Sequence, residues 1–246
     1  MKKLFKNYQL STVASNPYLD ILSILGDNGF LWVYDYGTDA STYGDSVSSW
    51  SDVTNTITMV RPGAASKSPI FTSTGIDFDG VDDVLWIETL PSGFDSYLSA
   101  NGATGGTVGF SSVEVGTGTG AGDRALTIFN GDNWYQSYIV GTFQLNQAAF
   151  PSYFALANNT VGLVTYTLPF GTSLPGSRWI DSTENEGNPA RWGAGWTGMT
   201  RMVVGADYQA ANNFWDGKIG AVWFAPRQLD DTQIATLYAA LSAAGY

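Results

Sequence analysis

Short apolar runs alternate with polar residues along most of the chain and are divided by Gly, Asn, Asp or Pro, the pattern of strands half-buried in antiparallel sheets. Phe30-Leu31-Trp32-Val33-Tyr34 reads as one strand, and Val84-Leu85-Trp86-Ile87, after an Asp82-Asp83 turn, as another. Thr107 to Val115 alternates before a glycine-rich loop at 116–122, and Ala125 to Phe129 precedes Asn130-Gly131-Asp132-Asn133, a hairpin signal. Tyr135 to Val140, Tyr153 to Leu156, Val161 to Leu168, Arg201 to Gly205 and Lys218 to Ala225 extend the series. The expected fold class is all-β, an antiparallel β-sandwich with a short C-terminal helix. That helix starts where Asp230 can cap and Gln233 can answer three residues later. Ile234, Leu237, Tyr238 and Leu241 then fall on one stripe, with Gly245 just beyond.

The first 27 residues differ from the rest. Lys2, Lys3 and Lys6 give the six leading residues a charge of +3, whereas the remainder carries −14. This segment is expected to be an N-terminal arm, 1–27, ahead of one sandwich domain, 28–246, since no linker, repeat or composition break divides the body. Two roles stand open for the arm. It can seal against its own domain as a strand, with Leu19, Ile21, Leu22, Ile24 and Leu25 as apolar anchor. Alternatively, Lys2, Lys3, Lys6 and Tyr8 can dock on a partner, because a basic tail on an acidic protein is otherwise mobile. Asn7, Gln9, Ser11, Asn16, Pro17 and Asp20 interrupt the run that a secretory signal would need, so none is read.

Composition removes much chemistry. With no Cys and no His among 246 residues, thiol nucleophiles, disulfides, imidazole bases and His-ligated zinc are excluded. A net charge of −11 opposes nucleic acid and anionic membranes as partners, and no stretch approaches the roughly 20 apolar residues of a membrane span. Only 13% of residues are charged against 44% hydrophobic, enough to bury a large core. The acids are 18 Asp and 4 Glu, a bias toward turns and hard-cation ligands.

Gly75-Ile76-Asp77-Phe78-Asp79-Gly80-Val81-Asp82-Asp83-Val84-Leu85 resembles the "FdGvDDyl" segment of LamG-like jelly rolls, in the concanavalin A-like lectin/glucanase class. The run from Trp215 to Phe224, followed by Arg227-Gln228-Leu229-Asp230-Asp231, resembles that family's closing strand and helix. Trp50-Ser51-Asp52 matches its "W.D", and Val203-Val204-Gly205-Ala206 its penultimate strand. The resemblance spans residues 28–244, with 100–200 alike in texture alone. It implies a concanavalin A-like jelly roll, a fold that hosts adhesins, lectins, glycosidases and structural modules alike.

Three sets of residues offer chemistry. Asp77, Asp79, Asp82 and Asp83 suit calcium, which takes hard oxygen ligands, and equally suit Asx-turns that cap backbone N–H groups. Trp192 and Trp196, in a glycine-rich loop beside Arg191 and Trp179, form one candidate glycan site, and Trp134 with Tyr135 another, because sugars are held by aromatic faces and planar polar groups. The competing reading places any of the nine Trp in the core. For catalysis, the laminarinase-like relatives imply an E-x-D-x-x-E strand that is absent here. Of Glu88, Glu114, Glu184 and Glu186, only Glu184 and Glu186 could share a face, in a segment dense with turn formers.

The sequence therefore points to a non-enzymatic binding or structural module without a catalytic set. The expectation is a virion surface component, such as a capsid decoration, spike or tail protein of a bacteriophage. It would be made in the host cytoplasm, dock through its arm onto other subunits of an assembly or oligomer, and meet cell-surface glycans with its loops. The alternative is a carbohydrate-active enzyme or a soluble lectin module.

Overall fold

The computed structural model describes residues 17–63, 68–87, 105–116, 123–129, 134–139, 143–147, 150–153, 162–169, 177–180, 183–186, 201–207 and 213–246. These form helix α1 (Pro17–Leu25), then strands β1 (Phe30–Val33), β2 (Ser49–Ser51), β3 (Thr58–Val60), β4 (Ile70–Phe71), β5 (Ile76–Asp79) and β6 (Leu85–Ile87). After them come β7 (Gly105–Val115), β8 (Asp123–Phe129), β9 (Trp134–Ile139), β10 (Phe143–Gln147), β11 (Phe150–Tyr153) and β12 (Gly162–Pro169). The chain continues through β13 (Ser177–Ile180), β14 (Thr183–Glu186), β15 (Arg201–Val204) and β16 (Asp216–Ala225) to helix α2 (Asp231–Ala244).

The strands make two eight-stranded sheets. In the first the order is β14-β13-β12-β7-β16-β5-β4, with β1 also paired to β16. In the second it is β11-β10-β9-β8-β15-β6-β3-β2. All these strand pairs are antiparallel. The fold is thus the all-β sandwich expected, with its C-terminal helix.

Alternation sorts each strand between two environments. Trp32, Trp50, Phe71, Phe78, Leu85, Phe110, Met202, Val222 and Phe224 fill the space between the sheets and are buried. On the outer side of the first sheet, Leu31, Val33, Leu163, Ala221, Trp223 and Ala225 pack against the two helices in a second buried cluster. The central strand β16 is covered on both faces, which is why Ile219 through Ala225 are all buried. Gly109 makes room for the Trp223 indole against β7, since a Cβ there would stand 2.4 Å from that ring.

Both helices are set by local chemistry and by this cluster. The Asp230 carboxylate accepts from the Gln233 N–H at 2.9 Å, and the Gln233 side chain accepts from the Asp230 N–H at 3.0 Å. Gly245, at φ 94°, ends α2 in the left-handed region. Ile234, Leu237, Tyr238 and Leu241 are its buried stripe, as expected. The described part of the arm, by contrast, is not a strand. Residues 17–25 are helical because Pro17 suits a first helical position and Ile21 and Leu25, one turn apart, both fit against the covered sheet and α2, leaving Leu19 exposed. The Arg227 guanidinium donates to the Ile24 carbonyl at 2.6 Å, placing a cation at the negative end of α1. Tyr18 and Tyr246 meet at 3.2 Å between hydroxyls, and each donates to the Asp35 carboxylate. No helix among the described residues is long and apolar enough to cross a membrane.

Two segments differ from the reading. A strand is formed by Phe150–Tyr153, while the rest of the strand read at Tyr153 to Leu156 lies outside the described residues, and the Glu184-Asn185-Glu186 segment read as turn-forming is β14, held by pairing with β13. The Asn130–Asn133 turn lies outside the described residues, while the strands it joins pair as a hairpin does, Phe129 opposite Trp134.

Candidate functional site

The helices both pack on the first sheet, so the outer face of the second carries what the molecule presents elsewhere. Met202 and Val204 of β15 face the intersheet core, and alternation turns Arg201 and Val203 outward. In β6, Leu85 and Ile87 go inward and Trp86 outward. Val60, Trp86, Val203 and Thr127 are register partners in succession across β3, β6, β15 and β8. Trp86 and Phe214 both pack against a small buried cluster of Val84, Val203 and Ala206. The Arg201 guanidinium sits 4.5 Å from the centroid of the Trp86 ring, a cation–π stack on a half-buried indole. Val60, 41% exposed, flanks this platform.

Register relates this stack to strands further along the sheet, across Thr127, which is fully buried with its hydroxyl donating to the Ala206 carbonyl at 2.8 Å. Arg201 is opposite Phe129, and Phe129 opposite Trp134. In the adjoining row, Thr127 is opposite Gln136 and Gln136 opposite Asn146. Directly paired residues of an antiparallel sheet share a face. The backbone therefore aligns Trp134, Gln136 and Asn146 with Trp86 and Arg201. Tyr135 takes the other row, opposite Ile128 and through it Met202, whose side chain lies in the intersheet core. Trp179 belongs to the other sheet, in β13 between Thr165 and Glu184. The structure thus separates Trp179 from Trp134. Arg191, Trp192 and Trp196 lie outside the described residues, as do Lys2, Lys3, Lys6 and Tyr8. Sequence reasoning did not single out Trp86 or Arg201. The signal was present in the alternation itself, a Trp between inward Leu85 and Ile87, and an Arg two residues before buried Val203.

The acidic turn resolves into two parts. Gly80, at φ 74°, reverses the chain after β5. The Asp79 carboxylate accepts from the N–H groups of Val81 at 2.8 Å and Asp82 at 3.3 Å, an Asx-turn, and Asp83 accepts from the Asp79 N–H at 2.9 Å. One oxygen of each of Asp79, Asp82 and Asp83 lies within 4.8 Å of the others. Burial pushes the Asp83 carboxyl up to about 7, with the charges of Asp79, Asp82 and Asp77 adding to the effect and the bond from the Asp79 N–H opposing it. These carboxylates are of the type that holds calcium and would supply part of the six to eight oxygens it takes. Asp77 is not among them. It stands opposite Lys218 in β16, which in turn pairs with Glu114 by a salt bridge, and burial holds the Asp77 carboxyl above its ordinary range.

The other sequence motifs are structural. Asp52, fully buried, accepts from the N–H groups of Thr54, Thr56 and Ile57 and closes the turn after β2, while Trp50 donates to the Val33 carbonyl at 2.9 Å. Trp32, Trp215 and Trp223 are also buried. Glu184 and Glu186 alternate onto one face of β14, Glu184 opposite Trp179 and Glu186 opposite Ser177.

No protein-family model matches this sequence, and no curated protein sequence matches it. Solved structures do. The Trypanosoma rangeli sialidase superposes with a TM-score of 0.56 at 15% identity, over 87% of this chain and 32% of that one. A mutant of the same sialidase displaying trans-sialidase activity gives 0.55 at 16% identity, over 89% and 33%. The chain therefore spans about a third of the sialidase's length, and the likeness establishes the fold. Domain 4 of a GH43 extracellular arabinanase from Geobacillus stearothermophilus aligns more loosely, at 0.47 and 10% identity, over 85% of this chain and 87% of that one. The two antiparallel sheets agree with the resemblance to LamG-like jelly rolls at the level of fold class.

Proposed function

We propose that the protein is a non-catalytic glycan-binding module that holds neutral sugars on the outer face of its second sheet. The observation that carries this reading is the Trp86–Arg201 stack on the face away from the helices, with Trp134, Gln136 and Asn146 at backbone positions in register with it. An indole offers a flat apolar surface to the C–H face of a pyranose, and guanidinium and amide groups match the spacing of neighbouring hydroxyls. A chain of net charge −11 disfavours polyanionic chains, which leaves neutral ones. That a glycosidase contains a region of this fold agrees with a sugar-facing module, and its turnover is not carried over. The absence of His, Cys and an E-x-D-x-x-E string from the sequence supports adhesion rather than hydrolysis.

Docking onto a partner, in this proposal, falls to residues 1–16, because Ile21 and Leu25 are already engaged within the fold. Membership of a virion finds no support in the fold or its likenesses and forms no part of the reading.

A panel of neutral and acidic oligosaccharides, probed with the full chain and with Trp86→Ala, tests the proposal. Saturable binding of neutral members that weakens tenfold or more in Trp86→Ala, about 1.4 kcal/mol, is the expected result. Release of reducing sugar that is abolished by Glu184→Gln or Glu186→Gln would overturn it, as would binding unaffected by Trp86→Ala.

A further inference from the structure

On the helix-covered side of the molecule, beyond the C-terminal end of α2, an open cavity of about 380 Å³ is lined by Tyr34, Thr74, Ser111, Leu163, Gly245 and Tyr246 among others. Its two aromatic walls, Tyr34 and Tyr246, meet edge to face with ring centroids 5.9 Å apart at 82°. Both phenol protons are already committed. Tyr34 donates to the Ser73 carbonyl at 3.0 Å, and Tyr246 donates to the Asp35 carboxylate, which Tyr18 also contacts. Towards a ligand the phenol oxygens can then act as acceptors, and a carboxylate bonded to the Tyr246 hydroxyl enriches its ring in electron density. Burial, with Asp35 nearby, raises the pKa of both phenols, so the rings remain neutral.

None of the side chains that line the cavity is charged, so its potential is set by the groups behind them. The last turn of α2 contains no basic residue, so the negative end of the helix dipole, at Gly245, is uncompensated by its own helix. Ser112 of the cavity wall pairs with Ile219 of β16, and the neighbouring Lys218 is joined to Glu114 and stands opposite Asp77. Aromatic rings, acceptor oxygens and a negative potential together make a site for positive charge with an apolar shell, the combination that recognises substituted ammonium groups.

We propose that this cavity binds a small organic cation of the alkylammonium class, lodged in the cavity against the joined Tyr34 and Tyr246 rings under the field of Asp35 and the α2 C-terminus. The site stands apart from the sugar-facing sheet and does not depend on it.

Calorimetric titration of the full chain with choline, and with its uncharged isostere 3,3-dimethylbutan-1-ol, tests the proposal. Choline should saturate one site at least tenfold more tightly than the isostere, and its affinity should fall as salt is raised. Tyr246→Leu should weaken choline binding tenfold or more. If circular dichroism shows that variant to be misfolded, Asp35→Asn, which keeps a hydrogen-bonding partner for the phenols, should weaken it severalfold in a native fold. Equal binding of the isostere, no saturable choline binding, or affinity unchanged in a folded variant would overturn the assignment.

Discussion

The outer faces of the two sheets are built from the same alternation and meet opposite fates. On the first, Leu31, Ala221, Trp223 and Ala225 are sealed beneath α1 and α2, and Trp223 has no exposed surface. On the second, Trp86 is only partly buried against a small cluster of Val84, Val203 and Ala206, with Arg201 stacked on it. Two outward tryptophans on central strands of a sandwich thus do different work. One is a foundation for helices, and the other is surface. An outward aromatic is therefore informative only once its covering elements are known.

The contrast is broken most severely by removing the cover. Deleting residues 1–25 uncovers the site of Ile21 and Leu25, each of which costs about 2–5 kcal/mol when truncated to Ala. The sum rivals the roughly 5–15 kcal/mol stability of an ordinary domain. Chemical denaturation should show the deleted chain largely unfolded at 37 °C, and a midpoint unchanged from the full chain would show the helix to be dispensable.

A matched pair of substitutions sharpens the comparison. Trp223→Ala should destabilise by about 3–5 kcal/mol. Trp86→Ala, forfeiting partial burial and a cation–π contact worth about 0.5–1 kcal/mol at an exposed site, should cost far less. Urea midpoints of the two variants read the difference directly, and equal losses would mean that both indoles are structural.

The smallest effect concerns pH. Asp83 binds its proton more tightly folded, up to about 7, than an ordinary carboxyl near 3.8. The folded state therefore holds more protons between those values, and stability present below about 4 is lost as pH rises through 7. Thermal unfolding from pH 4 to 8 should show this decline in the native chain and a flatter profile in Asp83→Asn, whose amide oxygen can still accept from the Asp79 N–H. With the turn closed by backbone donors alone, millimolar calcium leaves Tm unchanged; a rise that Asp83→Asn abolishes would assign these carboxylates to a cation.

What could be read beforehand was local. The capping pair Asp230 and Gln233 and the stripe from Ile234 to Leu241 are set within one helix, and inward Ile76 and Phe78 follow from strand alternation. The segment Leu19 to Leu25 was ambiguous because its nearly continuous apolar run suits either period, and only the position of α2 selects the helix. Strands β10, β13 and β14 escaped notice for a related reason. Gln, Asn, Ser and Glu carry little β preference, so pairing with neighbours makes them strands. Trp134 and Trp179 could not be assigned to different sheets from a sequence, since the order β14-β13-β12-β7 in one sheet and β9-β8-β15 in the other is decided by long-range crossings.

The hydroxyls of Tyr18 and Tyr246, 3.2 Å apart, place the first and last described helices' outer ends side by side on the covered face. A short peptide joining Pro17 to Tyr246 could therefore close the chain into a ring, and new termini opened in a loop would give a circular permutant with the same sheets. For the same reason, a support coupled beside Pro17 or Tyr246 would hold the molecule by its back and leave the sheet that presents Trp86 turned toward the solution.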